Sequence, residues 1–214
     1  MVSDRHGAGT AGETPGMIRW CLHATPCGVL RLGAFGGRLC LCDWADVPAR
    51  DFVVRRLERG LHVRFAPWPD DGSLSGSGPR GISDTPDPDD SGNPDDADRC
   101  VLDRAVRQLD EYFAAQRRVF DVPLLTVGTP FQRAVWELLT EIPFGGTRSY
   151  AWLAAQLGHP RAVRAVAAAN RANALSIFIP CHRVVGSDGS LTGYAGGLAA
   201  KRLQLELEQA TLLR

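Results

Sequence analysis

Apolar positions along this chain follow two rhythms. Between residues 17 and 65 they fall in short runs broken by glycine, at 18–22, 28–32 and 38–44. Such runs predict the strands of a small sheet, and residues 51–59 predict a helix behind them. The rhythm then stops. Residues 67–98 are rich in Asp, Gly, Ser and Pro and almost without apolar side chains. They predict a disordered acidic loop, because such a segment cannot bury enough surface to offset its ordering entropy. Residues 1–16 predict a disordered N-terminus on the same ground.

From residue 101 the rhythm becomes helical. Leu102, Val106, Leu109 and Phe113 form one stripe, and residues 120–128 read as a connector into a second unit. Phe131, Val135, Leu138, Leu139 and Ile142 form another stripe, with Thr129 as its N-cap and Pro130 in its first turn. Gly145 and Gly146 break it. Ser149 then caps a short helix over 150–157 that Gly158 ends, and Pro160 opens a third helix to Asn170. The last pair is a helix-turn-helix candidate. The pattern predicts an α+β chain: an N-terminal α/β domain over 17–121 and a mainly helical domain over 122–214.

The third helix carries alanines at 162, 165, 167, 168 and 169 beside Arg161 and Arg164. Alanine lets a backbone approach a surface closely but cannot read base edges. The stripe therefore suits sequence-independent contact with phosphate and groove, or else ordinary buried packing.

The charge distribution favours the first option. The 214 residues are formally neutral, with 24 basic and 24 acidic side chains, so bulk charge selects no partner. Yet residues 142–187 contain no Asp or Glu while holding Arg148, Arg161, Arg164, Arg171 and Arg183. An acid-free window with five arginines predicts a surface facing an anion; the alternative is scatter in an Arg-rich composition.

The first residues lack the apolar core of a secretory signal, and no apolar run approaches a membrane span. Six cysteines at irregular spacing do not read as a disulfide framework, and a reducing cytoplasm fits them best. Zinc held by Cys21, His23, Cys27, Cys40 and Cys42 matches no standard finger spacing. Cys40 and Cys42 read more simply as core residues on one face of a strand. No metal or cofactor is predicted.

The chemistry concentrates near residue 181. An apolar run, Ile177 to Pro180, leads directly into Cys181, His182 and Arg183, followed by a turn signal at 187–190 and glycines around Tyr194. The flanks predict burial of Cys181 and His182, and a buried thiol needs a base within reach to become a nucleophile. Neighbours on a strand point opposite ways, so the chain has to turn at this pair.

The run PCHRV, with Asn173 eight residues before the cysteine and TGYAGG after it, resembles the O6-alkylguanine-DNA alkyltransferases, or methylated-DNA–protein-cysteine methyltransferases. GTPFQRAVW, RSYAWLAAQLG, PRAVRAVAAANRAN, TGYAGGLAAKR and the Leu-Glu-rich terminal helix follow in the same order. The resemblance implies a ribonuclease-H-like N-terminal sheet and repair of O6-alkylguanine by irreversible transfer to Cys181, with O4-alkylthymine left open. It implies His182 as base through an ordered water, Glu208 orienting His182, and Asn173 holding the active-site turn. Tyr150 would rotate the phosphate and donate a proton, while Tyr194, Val184, Ala195 and Gly196 would hold the flipped base. Arg164 would fill the vacated stack, with Arg161 and Ala165 on the DNA surface. The implied partner is double-stranded DNA carrying the lesion, bound in the minor groove with little sequence preference; cooperative self-association on DNA is left open.

The chain departs from the pattern at Ala174, where the family commonly has Pro, and at Ala195, where some members have Ser. Its acidic segment is also longer. The competing readings are a non-catalytic lesion-binding DNA module, an alkylation-responsive regulator and a Cys-His hydrolase. Cys181 argues against the first, and the lack of room for a further domain against the second. A hydrolase would normally keep its histidine distant in sequence.

Overall fold

The computed structural model describes residues 16–68 and 94–213; the expected disorder of residues 1–15 and 69–93 lies outside the described residues. Three strands form where the glycine-broken runs predict them: β1 (Met17–Thr25), β2 (Gly28–Ala34) and β3 (Leu39–Trp44). β1 and β2 pair antiparallel through a tight turn, in which the Thr25 hydroxyl donates to the Gly28 carbonyl at 2.7 Å. Gly28 has φ +122°, a conformation that a side chain would oppose. Helix α1 (Asp51–Leu61) returns the chain to β4 (Arg64–Pro67), which lies parallel to β1 and completes the order β3-β2-β1-β4. β4 was not anticipated; RFAP is too short for its period to be read.

The sheet is covered on both faces. α1 packs Val53 and Leu57 on Ile18 and Leu41, while Val101, Leu102, Ala105 and Leu109 of α2 (Pro94–Phe113) pack with Cys21, Leu30 and Leu32. α2 begins seven residues earlier than its apolar stripe, so residues 94–98 are helical rather than part of an acidic loop, with Asp95 and Asp96 in the first turn. Acidic side chains there interact favourably with the exposed N–H groups of a helix start. Cys40 and Cys42 do not share one face as expected. Leu41 faces Gly33 and Leu39 faces Ala34, so Cys40 is the extra residue of a bulge, and the two cysteines join different core clusters.

Residues 120–128 run along the open edge of β3, where the Leu39 N–H donates to Pro123 and the Leu125 N–H to Leu39, each at 2.8 Å. α3 (Pro130–Thr140) follows with its full capping box: Thr129 accepts from the Gln132 N–H, and Gln132 returns a bond to the Thr129 N–H. Next come β5 (Arg148–Ser149), α4 (Tyr150–Gln156), α5 (Val163–Arg171), β6 (Val184–Val185) and α6 (Gly197–Leu212). Ser149 caps α4 by accepting from the Trp152 N–H at 3.0 Å. α5 starts three residues after Pro160; residues 159–162 instead form a turn in which the Ala162 N–H donates to His159. One apolar cluster runs without a break from β2 and α2 through Val135, Trp136, Leu153 and Val166 to Cys181. Both expected domains share that core. Among the described residues no helix is long and apolar enough to cross a membrane.

Candidate active site

Every residue from 172 to 184 is buried, and the local hydrogen bonds explain how such a run avoids stranding its backbone. The Cys42 N–H donates to Ala174 at 2.7 Å and the Ser176 N–H returns to Cys42 at 2.8 Å, so the segment joins the edge of β3. It then reverses tightly, with the Ile179 N–H on the Leu175 carbonyl and Ile177 at φ +74°. A β-branched residue in that region is strained, and its surroundings have to hold it. Asn173 does so: its Oδ1 accepts from Leu175 N–H and its Nδ2 donates to Ile179 O, both at 2.9 Å. The side chain clamps the two ends of the reversal. Ala174 in place of proline leaves this clamp intact.

Cys181 to Arg183 form a 3-10 turn, so the thiol and imidazole are not opposed as they would be on a strand. Cys181 is 3% exposed, and His182 and Glu208 are fully buried. Glu208 Oε1 lies 2.8 Å from His182 Nε2 and also accepts from the Tyr112 hydroxyl at 3.0 Å. Arg183 grips the same carboxylate through Nε and Nη2, each at 3.0 Å, and donates through Nη1 to Ile142 O at 2.7 Å. The Gly145 N–H donates to Oε2 at 2.9 Å. Burial alone would raise the Glu208 pKa, but the bonds and charges of His182 and Arg183 hold it down to about 2. Of the two, only the arginine charge is permanent. An ionised Glu208 can only accept, so His182 carries its proton on Nε2 and presents a lone pair at Nδ1. That Nδ1 bonds to no protein group. Burial lowers the imidazole pKa against the pull of Glu208 and raises that of the Cys181 thiol against Asn173 and Arg50. The resting site thus pairs a neutral thiol with a neutral, tautomer-locked base.

The DNA-binding domain model of the 6-O-methylguanine DNA methyltransferases matches residues 130–210. The methylated-DNA–protein-cysteine methyltransferase of Methanosarcina barkeri is 53% identical over 108 residues, half of this chain and 68% of that protein. The constitutive enzyme of Bacillus subtilis is 57% identical over 95 residues, covering 44% and 58%. Among solved structures, Mycobacterium tuberculosis OGT in complex with DNA superposes with a TM-score of 0.65 at 35% identity, over 91% of this chain and 94% of that one.

The chain belongs to the methylated-DNA–protein-cysteine methyltransferase family.

The other expected residues of this methyltransferase fall into two groups. Val184 belongs to the same core cluster as Cys181, and Tyr194 and Ala195 pack against that cluster. The Tyr194 hydroxyl donates to Gln204 Oε1 at 3.1 Å, and its ring meets Trp44 edge-on at 5.9 Å. Gly196 lies flush on the Trp44 indole, where an added Cβ would stand 2.2 Å from the ring. The main-chain groups of Val184 are already engaged, its N–H with Cys181 O and its carbonyl with Lys201 Nζ. On the outer surface, Arg164, Ala165, Ala168 and Arg171 are exposed along α5 and Arg161 in the turn before it, while Val166, Ala169 and Asn170 face inward. Tyr150, the first residue of α4, is half-buried between the groups, its hydroxyl 3.5 Å from the carbonyls of Thr192 and Gly193.

Arg183 is a correction to the expected basic surface, since it is buried and ion-paired with Glu208 inside the protein rather than exposed to an outside anion. Sequence reading also missed several supports. Arg50 bonds Asp43 at 2.8 Å and donates to the carbonyls of Arg171 and Asn173, tying the N-terminal unit to the reversal. Lys201, the only lysine of the chain, is buried and donates to Val184 O and Thr192 O; burial lowers its pKa to about 8. Tyr112, three residues after Leu109, was the one with a signal: it lies on the buried stripe of α2, where Phe113 had been counted. The cysteines weighed and set aside as zinc ligands sit in the sheet cores or beside them, and among the described residues no cluster is arranged to hold a metal ion.

Proposed function

We propose that Cys181 is the alkyl acceptor of a single-turnover repair reaction. The activity is repair of O6-methylguanine in DNA by alkyl transfer to a protein cysteine, and DNA is the partner. In the reaction, His182 Nδ1 takes the thiol proton through a water molecule and Glu208 stabilises the imidazolium. The thiolate attacks the alkyl carbon, the carbon–oxygen bond breaks, and its electron pair returns to the guanine, which takes a proton at N3 from Tyr150. A thioether remains on Cys181, and no group in the chain can cleave it.

A stacked base cannot reach a buried thiol, so the nucleotide rotates out of the duplex at a cost of about a few kcal/mol. Arg164 fills the space left in the stack. Small Ala165 and Ala168 let α5 enter the minor groove closely, and the exposed arginines bind phosphates without selecting sequence. The observation that carries the reading is the locked Glu208–His182 pair directly beside Cys181. Incubation with a duplex containing O6-methylguanine should add one methyl group to the tryptic peptide ending at Arg183, in a burst equal to the active protein. Cys181→Ala should abolish transfer and still bind DNA. Turnover beyond one equivalent, or a methyl group on another peptide, overturns the mechanism.

A further inference from the structure

Glu208 is crowded. Its two oxygens accept from His182, Tyr112, both ends of the Arg183 fork and the Gly145 N–H. A carboxylate offers about four lone-pair sites, so each donor weakens what the others receive. Oε1 is the contested oxygen, taking His182 Nε2 at 2.8 Å, Tyr112 at 3.0 Å and Arg183 Nη2 at 3.0 Å. Arg183 and Gly145 anchor the carboxylate from the far side. Among the described residues Tyr112 is the only neutral side-chain hydroxyl on it, and it competes with His182 for the same atom.

Tyr112 also comes from elsewhere in the fold. It lies at the end of α2, outside residues 130–210 that match the DNA-binding domain model. Its ring is fixed among Phe113, Phe120 and Phe144, at centroid distances of 5.1, 5.6 and 6.3 Å, and it is 1% exposed. Its hydroxyl donates to Glu208. Burial and the adjacent carboxylate raise the phenol pKa, so the group stays a proton donor throughout the working range.

We infer that Tyr112 is a positioning residue that sets the basicity of His182 by sharing Glu208 Oε1 with it. This rests on His182 being the base. The direction follows from the shared oxygen. A donated hydrogen bond from Tyr112 withdraws charge from Oε1, weakens its hold on the Nε2 proton, and makes the imidazolium less favourable. The other charged groups facing His182 are Arg183 beside it and Lys201 of α6; both oppose the imidazolium, and Glu208 favours it. Removing the hydroxyl strengthens that anion toward His182.

The test is Tyr112→Phe, which keeps the ring in its aromatic setting and deletes only the donor. Transfer from an O6-methylguanine duplex is followed in single turnover across pH, and the His182 ring is titrated by NMR. Rate falls on the acid side as His182 becomes protonated, so a stronger base moves that limb to higher pH. The expected shift is about half a pH unit, roughly a threefold rate loss on the limb with an unchanged plateau, matched in the ring titration. Superimposable profiles, or an equal loss at every pH, overturn the inference, since a purely structural role would lower the plateau. Should Tyr112→Phe fail to fold, 3-fluorotyrosine at residue 112 donates more strongly and should move the limb the other way; no movement overturns the inference. His182→Asn separates the two claims. If the acid limb survives that substitution, the assignment of the base is wrong; if it disappears while Tyr112→Phe has no effect, only the role of Tyr112 is.

Discussion

Arginines in this protein divide into those within and those without. Arg50 and Arg183 are almost fully buried, each gripping one carboxylate and at least one main-chain carbonyl. Arg161, Arg164 and Arg171 are exposed on or beside α5 and form no ion pair with the described residues. The same guanidinium fork serves opposite ends. Inside, it supplies fixed donors to a carboxylate and to carbonyls that no strand would satisfy, so its value lies in geometry. Outside, its donors are unspent, and on the proposed reading its charge would meet phosphate and its value would lie in release of counterions. Arg183 also shows how closely the two uses sit, since it is separated by one residue from the thiol it helps to serve.

The largest expected effect breaks the inner half of the contrast. Arg183→Ala removes one of the two groups, with His182, that hold Glu208 ionised and leaves the Ile142 carbonyl without its donor. Losing one partner of a buried pair costs about 3–5 kcal/mol, because the remaining charge stays buried. Denaturant titration should show that loss, with transfer activity falling even at temperatures where the chain is folded. Arg183→Lys should recover little, since an ammonium cannot span Oε1, Oε2 and Ile142 O together. A variant as stable as the parent would mean that Glu208 is neutral or solvated.

Much of this was legible in sequence, but unevenly. Local signals were good: Thr129, Ser149 and the glycine-broken runs placed α3, α4 and three strands, because caps and turns are decided by neighbouring residues. PCHRV and its companions singled out Cys181, His182 and Asn173, all of them buried. What sequence concealed is pairing across long separations. Arg183 counted toward a basic surface because Glu208 lies 25 residues away on another helix, and nothing local announces that they meet. Arg50 and Asp43 sit seven residues apart in a segment with no motif, yet their work is done on Asn173, 123 residues later. Periodicity also failed at Cys40, where one bulge inverted the alternation.

Intermediate effects come from the residue that is outer in place but specific in role. Arg164→Ala should slow repair of a lesion in duplex DNA by roughly ten- to a hundredfold, the cost of an unfilled stack. Reaction with free O6-benzylguanine, where the pocket admits it, should be nearly unchanged, because Arg164 is exposed on α5 and touches neither Cys181 nor His182. Arg164→Lys should restore part of the duplex rate. Equal slowing of both substrates would assign Arg164 to the fold or the chemical site.

The smallest effects belong to Arg161 and Arg171, and they sharpen the contrast most cleanly. Each is exposed, and neither side chain bonds a described residue, although the main-chain carbonyl of Arg171 is held by Arg50. Replacing either side chain with glutamine leaves that carbonyl in place, so the melting temperature should not move. The transfer rate at saturating DNA should not move either, since the proposed mechanism assigns flipping to Arg164 and chemistry to Cys181 and His182. What should change is the dependence of binding on salt. Each phosphate contact contributes roughly 0.9 to the slope of log affinity against log salt, so one lost contact should flatten the slope by about one. The loss should be the same on scrambled sequences, because the exposed side chains between these arginines are, apart from Arg164, the alanines 165 and 168. A slope change that depended on sequence would mean that α5 reads bases, and an unchanged slope with a lower melting temperature would place these arginines with Arg50 and Arg183, among the groups that hold the fold.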